Sequence, residues 1–108
     1  MISTTNLEDK VNKIDKPWSP VDLARINDHV VRMALFDGEN RWHKHTSGDE
    51  LFYVYRGQIL IQVKGHPDIT LNANEMAVVP RGVEHCPKSL EPSHVLMFEP
   101  YVLQPRGD

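Results

Sequence analysis

The feature that most constrains this fold is a series of short apolar runs separated by turn signals. The run at 30–36 stops at Asp37 and Gly38, and the run at 51–55 stops at Arg56 and Gly57. Runs of this length, bounded by turn residues and rich in β-branched and aromatic side chains, are typical of strands. The predicted strand segments are 30–36, 42–45, 51–55, 58–64, 69–71, 76–79, 83–86 and 95–98. No helix-length periodic stretch interrupts them, so the sequence predicts an all-β protein with a closed or double-sheet architecture.

The first part of the chain differs from the rest and is predicted to be an extended N-terminal arm. Residues 1–20 are polar, and Pro17 and Pro20 favour extended backbone. Residues 6–13 are expected to form a short helical turn or an edge strand, and residues 20–25 a single helical turn. A length of 108 residues fits one domain. We therefore assign residues 1–27 to the arm and 28–108 to the barrel. The arm is expected to pack on, or exchange with, a partner subunit in a homodimer, because it has little of its own to bury.

Composition excludes several classes of partner. The net charge of -3 gives no electrostatic basis for binding nucleic acid or an anionic membrane. No apolar stretch approaches the roughly 20 residues of a membrane-spanning helix. No signal peptide is visible at the start of the chain, and the single cysteine, Cys86, allows no internal disulfide. A cytoplasmic location is the resulting expectation.

Three histidines and one glutamate form a candidate metal centre. In a strand, residues two apart share a face, so His43 and His45 point the same way. Glu50 follows a short turn and can begin the paired strand, while His85 must arrive from another strand. Neutral imidazole and carboxylate ligands suit one divalent transition metal per chain, with Fe, Mn, Zn, Ni, Cu and Co not distinguished. Four such ligands leave up to two positions open on a six-coordinate ion.

The spacing of these residues resembles the two signature motifs of the cupin superfamily. The matching strings are Gly38-x4-His43-x-His45-x4-Glu50-x6-Gly57 and Pro80-x-Gly82-x2-His85. The chain is most similar to small single-domain bacterial cupins, which resemble the metal-binding core of sugar-phosphate isomerases. The resemblance implies a jelly-roll β-barrel (a double-stranded β-helix) in which His43, His45, Glu50 and His85 are the metal ligands.

The chain departs from the motifs at positions that are not ligands. Asn74 stands where the second motif often opens with glycine, and Ser89 where it often closes with asparagine. The first glycine also lies one residue closer to the first histidine than usual. Asparagine tolerates the left-handed conformation that such a turn requires. These differences leave the ligand set intact and affect only the subfamily.

Four further residues are candidates for a pocket beside the metal. Arg41 lies two residues before His43, so in a strand it would share the face of His43 and could reach an anionic ligand. A charge that faces solvent is the simpler alternative. Phe52 lies in the strand that follows Glu50. Gln62 is polar within an apolar strand, and His94 precedes the last strand with the parity of Leu96 and Phe98. No residue is a clear general acid or base, so the catalytic residues are left unassigned.

Two functional hypotheses remain. In the first, the protein is a metalloenzyme that acts on a small oxygenated molecule as a dioxygenase, isomerase or lyase. In the second, it is a non-catalytic module that binds a metal and a small ligand. No helix-turn-helix segment is present, so direct gene regulation is not expected.

Overall fold

The structure, a computed structural model, describes residues 1–105 and 107–108 of the chain. Within this part of the chain there are one helix and seven strands. They are α1 (Leu7–Lys13), β1 (Val21–Ile26), β2 (His29–Glu39), β3 (Glu50–Arg56), β4 (Gln58–Val63), β5 (His66–Asn72), β6 (Met76–Val79) and β7 (His85–Pro100). The all-β prediction is confirmed.

All strand pairs are antiparallel, and β7 organises the barrel. The hydrogen-bonded order is β1-β2-β7-β3-β6, with β4 joining β5 to β7. The first residues of β7 pair with β4, and its later residues pair with β3. Strand β2 runs along most of β7, from His29 opposite Pro100 to Glu39 opposite Lys88. Because one 16-residue strand is shared among three neighbours, the sheet curls around a common interior.

Strand alternation determines which side chains face this interior. On β3, Glu50, Phe52 and Val54 are buried, whereas the residues between them are partly exposed. On the second half of β7 the odd-numbered residues are buried. The core consists of the following buried residues: Ala34, Phe36, Phe52, Val54, Ile59, Ile61, Leu71, Val79, Val95 and Met97. The polar Glu50 therefore shares a face with two core residues, which places it inside the barrel.

A smaller apolar layer covers the outer face of β2. Met33 and Leu35 pack there with Ile14, which follows α1 and is 7% exposed. The backbone of Trp18 also donates a hydrogen bond to the carbonyl of Leu35, at 2.9 Å. Strand β2 is consequently buried on both faces, which explains why its sequence is a continuous apolar run and not an alternating one.

The ends of several elements differ from the sequence prediction. The predicted helical turn at residues 20–25 is wrong, because Val21–Ile26 form β1 and pair with β2. The segments 83–86 and 95–98 belong mostly to one strand, β7. The segment 42–45 is not a strand and makes only an isolated bridge between His43 and His85.

The N-terminal residues contact their own barrel in this single chain. The helix α1 begins at an Asn6 cap, whose side chain accepts from the backbone of Asp9 at 2.9 Å. Glu8 pairs with Arg56 and with the hydroxyl of Tyr55 on β3. Exchange of this arm with a partner in a homodimer stays a prediction. No helix in the part of the chain that the structure describes has the length and hydropathy needed to cross a membrane.

Candidate metal centre

Backbone hydrogen bonds bring the two motif segments together. His43 and His85 form a reciprocal pair, with N–H···O distances of 3.0 and 2.9 Å. The amide of Gly82, which has φ +81°, donates to the carbonyl of His45 at 2.7 Å. The segment that carries two histidines is therefore fixed against the segment that carries the third, although 40 residues separate them in sequence.

The four side chains form one cluster. Ligand atoms of His43, His45, Glu50 and His85 all lie within 4.8 Å of one another. Glu50 Oε1 lies 3.5 Å from the Nε2 atoms of both His45 and His85. His45, Glu50 and His85 are buried, and His43 is half-buried at the rim. The cluster therefore could hold a metal ion and would largely shield it from solvent.

Each imidazole is oriented by a hydrogen bond from its Nδ1 atom. His43 Nδ1 donates to the carbonyl of Arg41 at 2.8 Å, and His85 Nδ1 donates to the carbonyl of Val83 at 2.9 Å. His45 Nδ1 donates to a carboxylate, Asp108 Oδ1, at 2.9 Å. With Nδ1 protonated, the lone pair of each ring is on Nε2, which is the usual arrangement for histidines that bind a metal.

The cluster contains buried polar atoms that have no partner. His45 Nε2, Glu50 Oε1 and His85 Nε2 are inaccessible and make no hydrogen bond within the described residues. Burial of an unpartnered polar atom costs about 1–3 kcal/mol, so three such atoms facing one another are unusual in a folded protein. A divalent cation would satisfy all three at once, and the chemistry of the donor set fits such an ion.

The arrangement of the cluster also shifts the pKa values of its side chains. Burial would raise the pKa of Glu50, but the imidazoles of His45 and His85, whose Nε2 atoms lie 3.5 Å from its Oε1, hold that pKa well below its usual range. Burial lowers the pKa of His43, and the neighbouring imidazoles add to that effect. For His45, burial is outweighed by Glu50 and Asp108, so its pKa is raised. A carboxylate that stays ionised beside these imidazoles supplies the negative charge that a cation requires.

A cavity of about 180 Å³ opens beside the cluster. Glu50, His43 and Arg41 line it on the metal side. Its apolar wall includes Trp18, Phe36, Phe52 and Met97. The cavity is the space from which a small molecule would approach the ion.

A second carboxyl group, that of Glu99, also lines this cavity. Glu99 is 3% exposed, and its Oε2 accepts from Arg32 Nη1 at 2.8 Å. Its Oε1 is buried and has no partner within the described residues. Burial raises the pKa of Glu99 to about 9, and the charge of Glu50 adds to this against the opposing effect of Arg32.

The structure separates the four predicted pocket residues into two pairs. Arg41 and Phe52 line the cavity. Gln62 instead contacts Glu39 and the carbonyl of Cys86, at 3.2 and 3.4 Å. His94 lies on the outer face of β7, where its Nε2 is 3.0 Å from the carbonyl of Ile14. Neither Gln62 nor His94 is among the described residues that line this cavity.

Sequence reasoning missed three residues that complete the site. Glu99 was missed because the interior positions of β7 are those of Val95 and Met97, and not that of His94. Arg32 lies on β2, and its link to the site is its hydrogen bond to Glu99. An acidic residue in phase with buried apolar residues was the available signal for Glu99. Asp108 gave no such signal, because it lies 63 residues from His45 and no strand pattern connects the two.

Comparison with known proteins agrees with this architecture. Residues 30–99 match the family model described as "Cupin domain". The chain is 36% identical over 89 residues to YdbB of Bacillus subtilis (strain 168), covering 82% of this chain and 79% of that protein. A cupin-2 domain containing protein from Shewanella frigidimarina NCIMB 400 has a similar structure, with a TM-score of 0.85 and 38% identity over 89% of this chain and 93% of that one.

A more distant similarity concerns the fold alone. The structure of hydroquinone 1,2-dioxygenase PnpCD in complex with Fe³⁺ has a TM-score of 0.83 and 16% identity, and covers 94% of this chain and 33% of that one. The family match spans more than half of the sequence, and two relatives exceed 30% identity over most of its length. The chain belongs to the cupin family, as a small single-domain bacterial cupin.

Proposed function

We propose that this protein is an enzyme that depends on one divalent transition metal and acts on a small oxygenated molecule. The observation that carries the proposal is a set of three buried atoms that could ligate a metal and have no hydrogen-bond partner within the described residues, beside a cavity of about 180 Å³. His43, His45, Glu50 and His85 would hold the ion. A purely structural ion would require no such cavity, whereas a catalytic one needs access for its substrate.

The residues of the chain have distinct roles in this proposal. When bound, the metal supplies Lewis acidity and a place for a substrate oxygen or for O₂. The carbonyls of Arg41 and Val83 and the carboxylate of Asp108 keep the three imidazoles in position. Phe52 and Met97 restrict water on one side of the cavity. Arg41, at the exposed rim, is placed to attract a negatively charged ligand.

The reaction type is proposed to be dioxygenation, isomerisation or lyase chemistry. The iron-bound dioxygenase with the same fold supports oxygen chemistry. An isomerase or lyase would need a general acid or base beside the substrate, and the carboxyl group of Glu99, which lines the cavity, supports such a role. Oxygen consumption separates these alternatives directly.

The test begins with elemental analysis of protein purified without a nickel column. Wild type and His66→Ala, which alters a histidine outside the cluster, should retain about one ion per chain, and His45→Ala should retain little. The Fe(II)-loaded protein is then assayed for oxygen uptake with small diols, phenols and keto acids. Substrate-dependent uptake would identify a dioxygenase, and turnover without uptake an isomerase or lyase. Metal retention without any turnover would favour the binding-module alternative, and equal metal content in His45→Ala and wild type would contradict the proposal.

A further inference from the structure

Glu99 has one oxygen that bonds to Arg32 and one that has no hydrogen-bond partner within the described residues. The guanidinium of Arg32 holds Oε2 of Glu99 at 2.8 Å. The same guanidinium donates to Asp22 Oδ1 and to the carbonyls of Tyr101 and Leu103, at 2.9, 2.8 and 3.0 Å. Because Arg32 is fixed by several acceptors, the carboxyl group of Glu99 is fixed as well. Its other oxygen, Oε1, is buried without a partner within the described residues, and Glu99 is one of the residues that line the metal cavity.

A ligand hydroxyl is the group that best satisfies this oxygen. A hydroxyl both donates and accepts hydrogen bonds, so it pairs with a carboxyl oxygen whichever of the two carries the hydrogen. An ether or a carbonyl can only accept, and a methyl group can do neither. The unpartnered Oε1 therefore selects for a hydroxyl at one defined position of the ligand.

The apolar residues that line the cavity suit a flat apolar body. The rings of Trp18 and Phe36 pack with their centroids 4.4 Å apart and their planes tilted by 32°, and Phe36 meets Phe52 edge-on at 6.1 Å. An apolar cavity of about 150 Å³ is known to hold benzene, so about 180 Å³ accommodates one substituted six-membered ring. The cavity thus combines a ring-sized apolar space with a fixed carboxyl oxygen and the metal cluster.

The backbone of Trp18 indicates that its position is enforced. Trp18 has φ +58°, a left-handed conformation that bulky residues rarely adopt. Its backbone donates to the carbonyl of Leu35 at 2.9 Å, and its indole Nε1 donates to the carbonyl of Asp37 at 3.0 Å. A strained residue held by two hydrogen bonds at a cavity wall is typical of a functional constraint.

From these observations we infer that the substrate is a small hydroxylated ring, with one hydroxyl bound by Glu99, a second oxygen directed to the metal cluster, and the ring against Trp18 and Phe36. Glu99 is thereby the specificity-determining residue, oriented by Arg32. This assignment rests on the proposed function, because the second oxygen requires the ion. It extends that proposal by naming the substrate class.

The test measures ligand binding by calorimetry to Zn(II)-loaded protein, because Zn(II) is redox-silent. Catechol offers two hydroxyls, and 2-methoxyphenol replaces one of them by an ether. Wild type should prefer catechol. In Glu99→Gln the amide oxygen can still accept from Arg32, which leaves an NH₂ group toward the cavity that donates to either probe. The preference should therefore fall about tenfold, which corresponds to about 1.4 kcal/mol. Glu39→Gln, an exposed glutamate outside the cavity, is the matched control and should behave as wild type.

Two further measurements keep the outcomes separate. Zinc content is determined in each sample, so that absence of zinc from wild type counts against the proposed function. An unchanged preference in zinc-loaded Glu99→Gln overturns the assignment of Glu99 alone. Should that variant fail to fold, equal binding of both probes by wild type also overturns it. The ring requirement is tested with propane-1,2-diol, which should bind at least tenfold more weakly than catechol, and equal affinity would refute it.

Discussion

Two groups of buried polar side chains lie in this barrel, and they differ in how completely they are satisfied. Ser89 and Ser93 are 2% and 0% exposed, and their hydroxyls bond to each other at 3.0 Å. The carbonyl oxygen of Gln58 lies within hydrogen-bond distance of both hydroxyls, at 3.2 and 3.1 Å, and Ser93 accepts from the backbone N–H of Gln58 at 3.1 Å. We call these two residues the serine cluster. In the metal cluster (His43, His45, Glu50 and His85), three residues instead have a buried atom with no partner.

This difference distinguishes buried polar groups that stabilise the fold from buried polar groups that have an atom free for a ligand. A buried polar group that bonds fully within the chain contributes to the fold, because it leaves nothing for a ligand. A buried group with a free atom costs stability unless something else completes it. Changes in the serine cluster should therefore affect the stability of the protein, and changes in the metal cluster should affect its response to metal.

The largest expected effect is the loss of metal binding in His45→Ala. Removing one of four ligands should weaken metal affinity by at least about a thousandfold, roughly 4 kcal/mol or more. In wild type, metal at about 100 times its Kd adds about 2.7 kcal/mol of stability, and a chelator should remove it. Thermal unfolding with and without chelator checks this, with His66→Ala as control. An equal chelator-induced decrease in Tm for His45→Ala and wild type would contradict the assignment of the metal response to the metal cluster.

The second largest expected effect is a loss of stability on substitution of Gly57, which lies against Ser93 of the serine cluster. Gly57 has φ +99°, and a Cβ there would lie 2.1 Å from Ser93 Oγ and 3.0 Å from its Cα. Gly57→Ala should therefore lose about 2–4 kcal/mol of stability, since strain and overpacking add. Gly65→Ala is the control, because Gly65 has φ +77° but open space around it, so about 1 kcal/mol is expected.

Urea unfolding of the two metal-free variants measures both values. Comparable losses in Gly57→Ala and Gly65→Ala would mean that close packing on Ser93 is unimportant. Metal affinity of the folded fraction should be unchanged in both variants, because neither glycine contacts the metal cluster.

The sequence predicted the parts of this molecule that depend on local patterns. Short apolar runs bounded by turn residues identified β3 and the all-β fold, and the spacing of the two motifs identified the four residues that the structure brings together. Prediction from the sequence failed where a residue or strand distant in the chain determines the local structure. Residues 20–25 lie mostly in a strand because β2 offers an edge with which they can pair. The sequence prediction treated His94 as an interior position of the last strand, whereas the interior positions of β7 are one residue out of phase with His94 and include Glu99.

A smaller effect should follow from changing Asp108, whose side chain accepts a hydrogen bond from His45 Nδ1. Loss of such a partner usually weakens metal affinity about 10–100-fold, because the imidazole is less well oriented and less basic. Asp108→Ala should show this range in chelator competition. Asp108→Asn, which can still accept through its side-chain oxygen, should recover part of it. Asp68→Ala, an exposed aspartate on β5, is the control, and equal affinities for all four proteins would exclude a positioning role.

The smallest expected effect lies in the serine cluster itself. Ser89→Ala removes a hydroxyl that lies within hydrogen-bond distance of Ser93 and of the carbonyls of Gln58 and Glu91, to one of which it can donate. The alternative partners of Ser93 remain, so the expected loss is about 1 kcal/mol, typical of one net hydrogen bond. Urea unfolding of metal-free protein measures this loss, and chelator competition should give the wild-type metal affinity. A weaker metal affinity in Ser89→Ala would show that the two clusters are coupled through the barrel, and the division between structural and ligand-binding polar groups would then have to be abandoned.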